Sequence, residues 1–283
     1  MKSKAYLMMI TSMLIFGTIG IFRVYIPISS SQLAFCRGII GAITLIVICV
    51  LKGKQIFNTQ LKSLYKFIII GILIGINWVC LFEAYNQVSV SIATLCYYMA
   101  PTIMILLSPI VLKESLGIKK IICAIASVIG MVFVSGVLDA STSVNILGIG
   151  LGLLAALFYA IVILMNKKTE AEDVYLMTIV ELLSASIIVL PYILISEKIV
   201  LSSFTPICII MILIVGIVHT GISYVMYFSS IQVLQGQSVA ILSYIDPVFA
   251  LILSFLILHE SFTVLSLIGA ILIITSACIS ELS

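Results

Sequence analysis

Residues 94–114 read TLCYYMAPTIMILLSPIVLKE, and residues 240–260 read AILSYIDPVFALILSFLILHE. Each is an apolar run of membrane-crossing length, broken by a proline and closed by a glutamate. Tyr98 falls on Tyr244, Pro101 on Pro247, Glu114 on Glu260 and Ser115 on Ser261, at a constant offset of 146 (247 − 101 and 260 − 114). A chain that carries this unusual helix twice is built from two copies of one plan.

Composition says where that plan operates. Hydrophobic residues make up 63% of the 283 positions and charged residues only 9%, against about 25% charged in a soluble domain. So few charges cannot cover a water-facing surface, so lipid must. A bilayer-crossing helix needs about 20 apolar residues, and such runs fill the chain. Ten spans are expected, at 4–23, 31–51, 65–86, 89–112, 117–138, 146–166, 174–195, 207–230, 236–258 and 262–281. Lys2 and Lys4 with the run after them read as the first span rather than a cleaved signal, because the run continues to about Phe22 and further spans follow at once.

Lysine placement sets the expected orientation. With the N-terminus inside, Lys2, Lys4, Lys52, Lys54, Lys62, Lys66, Lys113, Lys119, Lys120, Lys167 and Lys168 all fall on inner connections, eleven of the fourteen basic residues. Both termini are then cytoplasmic, in the cytoplasmic membrane. Spans 3–5 match spans 8–10 at the offset of 146, so each half holds five spans, and an odd number turns the second half over. The charges agree. Lys113, Lys119 and Lys120 follow span 4, whereas the counterpart after span 9 has His259 and Glu260 without Lys or Arg. The expected fold is an all-α membrane protein of ten transmembrane helices in two inverted five-helix repeats, residues 1–138 and 139–283. Secondary transporters built this way bind solute near the midplane, between the repeats.

Ionisable groups inside the bilayer are the strongest functional pointers. Each costs about 2.5–3.5 kcal/mol near a helix centre. Asp246 directly precedes Pro247, which removes a main-chain hydrogen bond and opens the helix. Freed carbonyls beside a carboxylate suit a proton, a cation or a substrate amine, and the alternative is a kink whose carboxylate a neighbouring helix satisfies. Span 4 has Ala100 at the matching position and a second proline, Pro109. Glu83, in LFEAYNQ, either snorkels to the outer interface or faces Tyr97 and Tyr98 as a site for an amine or proton, since rings beside a carboxylate suit an organic cation. Its repeat counterpart is Ser229. Asn77 and Trp78 lie lower on the same span. The single tryptophan is mid-span rather than in an interfacial belt, and its counterpart, Tyr224, is aromatic too. Arg37 and Glu181 are expected near opposite faces, unpaired with each other. His219, mid-span, titrates where a proton-coupled carrier works, though a hydrogen-bonded core histidine is the plainer reading.

Other classes find little support. The seven cysteines lie in or beside apolar runs without C-x-x-C spacing and read as packing residues. No metal or cofactor is expected, no basic patch points to nucleic acid, and G-x-x-x-x-G-K-[ST] does not occur. A membrane-embedded enzyme on lipid-linked substrate would need acid or histidine clusters at one interface, and a passive channel would need a polar stripe through several helices. Ala126 and Gly130 in span 5, and Ser266 and Ala270 in span 10, permit close helix contact and leave a homodimer open.

Pro101, Pro247, Glu114, Glu260, Arg37 and the five-span repeat, in this order and spacing, make the chain resemble an EamA-type member of the drug/metabolite transporter superfamily. The resemblance covers nearly the whole chain. It implies a central cavity shaped by helices 1, 3, 4, 6, 8 and 9, with helices 5 and 10 peripheral, alternating access, and movement of small organic solutes, often outward. The residues expected at that cavity are Trp78, Glu83, Tyr97, Tyr98, Tyr224, Tyr244 and Asp246. Pro101, Pro247, Glu83, Asp246 and His219 are the candidates for coupling or gating.

Overall fold

The computed structural model describes residues 2–53, 61–88, 90–115, 117–134, 145–169, 171, 173–258 and 263–281. His259, Glu260 and Ser261 lie outside these residues, as does the boundary between residues 138 and 139. The described residues form ten helical rods: α1 (Lys2–Arg23), α2 (Ser30–Leu51), α3 (Leu61–Gln87), α4 (Val90–Tyr97 and Ala100–Val111), α5 (Ile118–Val134), α6 (Ile146–Thr169), α7 (Val174–Ser196), α8 (Pro206–Val233), α9 (Gly236–Leu242 and Ile245–Leu258) and α10 (Val264–Glu281). Eight of them are long and apolar enough to cross a membrane. Large apolar side chains such as Leu51, Ile110, Ile146 and Ile195 point outward, as they must where lipid is the solvent. The described residues thus form an all-α bundle built to cross a membrane many times.

Local chemistry starts the helices. Ser29, Asp173 and Thr205 each accept a main-chain N–H of the helix that follows, which satisfies an otherwise orphaned donor. The proline breaks appear where expected. In α4 the helix opens at Tyr98 and Met99, ahead of Pro101, and in α9 at Ser243 and Tyr244, ahead of Pro247. Each proline lacks an N–H and crowds the carbonyl four residues back, which is Tyr97 or Ser243. Pro109 lies inside the second part of α4 without ending it.

Two irregularities carry no proline. α1 divides at Gly17 and Thr18, and residues 215–222 of α8 wind as a π-helix. In the π segment the Thr220 and Ser223 hydroxyls donate to the carbonyls of Val215 and Val218, five residues back in each case.

The rods pack by necessity of shape. α3 lies between α6 and α7, α2 against α7 and the π segment of α8, α1 against α8 and α9, and α5 against α10. A Cβ on Gly130 would sit 2.8 Å from the Gly269 carbonyl, so this small residue of α5 serves contact with α10 within the chain. A Cβ on Gly17 would sit 2.9 Å from the Asp246 carbonyl and 3.1 Å from the Ala250 nitrogen. α1 therefore touches the main chain of α9 beside its proline.

The two ends of the bundle differ. At the lysine-rich end, Lys113 takes a left-handed turn (φ 57°) and Glu114 accepts the Gly236 N–H at 2.9 Å. There Gln237 donates to Ser108 and to the Ser115 carbonyl, Lys120 donates to Gln235, and Lys167 donates to Leu234. At the other end, Ser29 and Ser31 donate to Glu197, and Asn145 donates to Gln87.

Because Gly17 is pressed on α9, Gly17→Val should force the two helices apart, at a cost of about 1–3 kcal/mol for an overpacked contact. Gly150→Ala, where nothing lies within 4 Å, should be neutral or mildly stabilising. Thermal unfolding of the purified protein in detergent should show a marked loss of Tm in the first variant only.

Candidate functional site

A cavity of about 650 Å³ lies inside the bundle. α3 supplies its longest wall. Ile74, Asn77, Trp78, Leu81, Phe82 and Tyr85 all line it, the three-and-four spacing of one helix face. Tyr97 and Tyr98 enter from the break in α4, Tyr159 from α6, Tyr224 and Tyr227 from α8, and Asp246 and Pro247 from the break in α9. Phe16 and Gly20 close the α1 side. Two further helices reach the cavity beyond those that the resemblance implied: Arg37 comes from α2 and Met131 from α5.

Rings dominate the lining and order one another. Phe16 meets Tyr224 and Tyr227 edge-on, with ring centroids 5.7 and 6.0 Å apart. Tyr97 lies 5.5 Å from Tyr159, and the Tyr159 hydroxyl reaches the Tyr227 hydroxyl at 3.2 Å. Asn77 donates to the Ala155 carbonyl at 2.5 Å, and the Tyr97 hydroxyl approaches its other end at 3.5 Å. Such a wall offers apolar area with polar edges in fixed places.

Two charged groups stand among these rings. The Arg37 guanidinium lies over the Trp78 ring, 4.9 Å from its centroid, a contact worth about 0.5–2 kcal/mol when shielded from water. Its buried Nε has no hydrogen-bond partner, so stacking rather than pairing holds it. Asp246 interacts with the Tyr98 hydroxyl across the two helix breaks. A guanidinium and a carboxyl group thus face a single aromatic cavity, and both are half-buried.

The remaining candidates fall elsewhere. Glu83 is on α3 but off its cavity stripe. It accepts from the Tyr192 hydroxyl at 2.7 Å and from Asn86 at 3.0 Å, in a separate polar pocket of about 480 Å³ that also holds Ser29, Gln32 and Glu197. Tyr244 is fully buried, and its hydroxyl meets that of Thr102 at 2.9 Å, so it ties one helix break to the other. Pro101 is buried beside it. His219 sits in the π segment, its Nε2 2.7 Å from the Thr18 hydroxyl and its ring edge-on to Phe22. The same Thr18 hydroxyl lies 2.7 Å from the Ile15 carbonyl.

Arg37 and Glu181 lie closer in depth than their spans imply. Gly38, next to Arg37, packs on Leu182 and Ser186 of α7, next to Glu181. They nevertheless turn to different partners, Trp78 and Asn166. Tyr85, Tyr159 and Tyr227 were not among the expected lining residues. Tyr159 and, less deeply, Tyr227 carry the mark of Trp78, an amphipathic ring inside a span rather than in an interfacial belt, whereas Tyr85, two residues from the end of α3, carries none.

A model of the EamA-like transporter family matches residues 3–136 and again residues 146–281. The chain belongs to the EamA-like transporter family. Among its relatives, the uncharacterized transporter YxxF of Bacillus subtilis (strain 168) is 30% identical over 257 residues, covering 89% of this chain and 81% of that protein. The uncharacterized transporter YoaV of the same organism is 25% identical, covering 84% of this chain and 82% of that one. A protein of known crystal structure superposes with a TM-score of 0.88 over 99% of this chain and 97% of its own, at 18% identity, which speaks for the fold alone. This EamA-like protein is therefore a membrane transporter, and its family and relatives point to transport rather than catalysis.

The hydroxyl pair between the two breaks gives a direct test. Tyr244→Phe and Thr102→Val should each lower stability by about 1 kcal/mol. The double variant should cost less than their sum, because the two hydroxyls are each other's partner. Unfolding of all four proteins closes the cycle.

Proposed function

We propose that this EamA-like transporter is a secondary carrier for a small zwitterionic metabolite, an amino acid or close amine analogue with an apolar side chain. The observation that supports this is the charge pattern of the cavity: Arg37 and Asp246 are set in a wall of rings. A solute carboxylate would lie along the free edge of the Arg37 fork. Its ammonium would take the Asp246 carboxylate, in place of or beside the Tyr98 hydroxyl. Trp78, Tyr97 and Tyr224 would hold the apolar part. Substrate contact is thus assigned to Trp78, Tyr97, Tyr98, Tyr224 and Asp246, with Arg37 added. Tyr244, Pro101 and Pro247 act on the helix breaks, and Glu83 acts in the second pocket.

The mechanism proposed is alternating access by two five-helix repeats of opposite orientation, residues 1–138 and 139–283. The lysine-rich end is cytoplasmic under this reading. In the present conformation that end is drawn together by Glu114 on Gly236, while the cavity extends toward Tyr85 and Val90 at the other. The proline breaks and the π segment supply places where helices bend without freeing main-chain groups to lipid. Net movement is assigned outward across the cytoplasmic membrane.

Counterflow in proteoliposomes with radiolabelled leucine, methionine and phenylalanine tests the cargo. Asp246→Asn and Arg37→Gln should each raise KM about 10–100-fold, as expected for losing a charged hydrogen bond in a shielded site. Glu83→Gln should leave KM unchanged. Wild-type flux in both cavity variants would refute the assignment.

A further inference from the structure

Glu181 is a buried ionisable group that transport through the cavity leaves unused. We propose that Glu181 is a proton-binding site of this protein, held in the present conformation as the neutral acid and paired with the amide of Asn166. Both side chains are wholly buried, Glu181 on α7 and Asn166 on α6. The Asn166 Nδ2 donates to Glu181 Oε2 at 3.3 Å. The other oxygen of each, Glu181 Oε1 and Asn166 Oδ1, is buried without a hydrogen-bond partner.

The imbalance identifies what is missing. An ionised carboxylate only accepts, so with Glu181 charged, two buried acceptors lack a donor, and a carboxylate sits unpaired in an apolar interior. That is a costly arrangement. A carboxylic acid and a primary amide are complementary: the amide N–H gives to the acid carbonyl, and the acid O–H gives to the amide carbonyl. One proton on Glu181 Oε1 supplies the single donor that the pair lacks.

Among the described residues no cation takes the role instead. On α2, Arg37 lies on Trp78 and Lys52 reaches the Tyr175 hydroxyl. On α3, Lys66 is exposed and Glu83 is engaged with Tyr192. On α6, Lys168 is exposed and Lys167 donates to the Ile231 and Leu234 carbonyls. On α8, His219 meets Thr18. On α7 itself, Asp173 caps the helix start and Glu197 takes Ser29 and Ser31 at its far end.

Beside the pair, Gln232 of α8 donates to the main-chain carbonyl of Asn166 at 2.9 Å. Protonation of the pair favours the conformation in which α6 and α7 are closed together near the lysine-rich end. Resting on the carrier reading, opening that end would hydrate Glu181 and release its proton, which links solute movement to a proton gradient.

Infrared difference spectra of purified wild type minus Glu181→Gln at neutral pH test the proton directly. Glutamine can make both bonds of the pair, so this variant should fold. A carboxylic-acid carbonyl band present in the wild type and lost in the variant is expected. Absence of that band overturns the proposal. Tm against pH gives a second reading. The folded state holds a proton that an unfolded glutamate releases, so wild-type Tm should fall from mildly acidic to mildly alkaline pH. Glu181→Gln should lack that component, and Glu181→Ala should be less stable throughout. Parallel profiles for wild type and Glu181→Gln would also overturn it. Neither measurement uses a solute, so a failure of amino-acid counterflow would remove the functional reading and leave the proton site to be decided on its own.

Discussion

A hydrocarbon environment does not forgive an unpaired peptide group, and this fold is arranged around places where its helices leave such groups. Pro101 and Pro247 each open a helix, and both openings are turned inward, away from lipid. Ser243 sends its hydroxyl back to the Val239 carbonyl, and Tyr244 crosses to Thr102. The π segment of α8 recruits Thr220 and Ser223 in the same way. Gly17 lets α1 reach the main chain beside Pro247. Irregular backbone, hydroxyl side chains and close helix contact thus concentrate in one region, and the cavity is what remains between them.

The two proline-broken helices are copies in sequence but not in chemistry. Tyr98 and Tyr244 occupy equivalent positions, yet one faces the Asp246 carboxylate and the other is locked to a threonine. Asp246 has an alanine as its counterpart. Glu114, which closes the first copy, holds the main chain at the start of the second. The two stretches agree where they shape the helices and differ where they meet the cavity.

Much of the fold is legible because the bilayer imposes a length and because lysines mark an end. Spans, breaks and repeat offset all follow from apolar runs, prolines and a register of 146. The cavity is legible where a residue is costly in lipid: Trp78, Tyr98, Tyr224 and Asp246 all line it. Azimuth is harder to see than depth. Glu83 lies at the right height on α3 but on the wrong face, and the stripe running from Ile74 to Tyr85 shows it only once the cavity side is known. Depth itself shifts when helices slide, as Arg37 and Glu181 demonstrate through the packing of Gly38 on α7. The break at Gly17 and the π-winding of α8 have no proline to announce them. They arise from how neighbouring rods fit.

Trp78 has a consequence of a different kind. It is the chain's single tryptophan, and it forms part of the cavity wall with a guanidinium on its face. Emission excited beyond the tyrosine band therefore comes from one place in the whole molecule. A solute that displaced Arg37, dried the cavity or changed its shape would alter the colour or yield of that light. The protein carries its own optical reporter in the cavity wall.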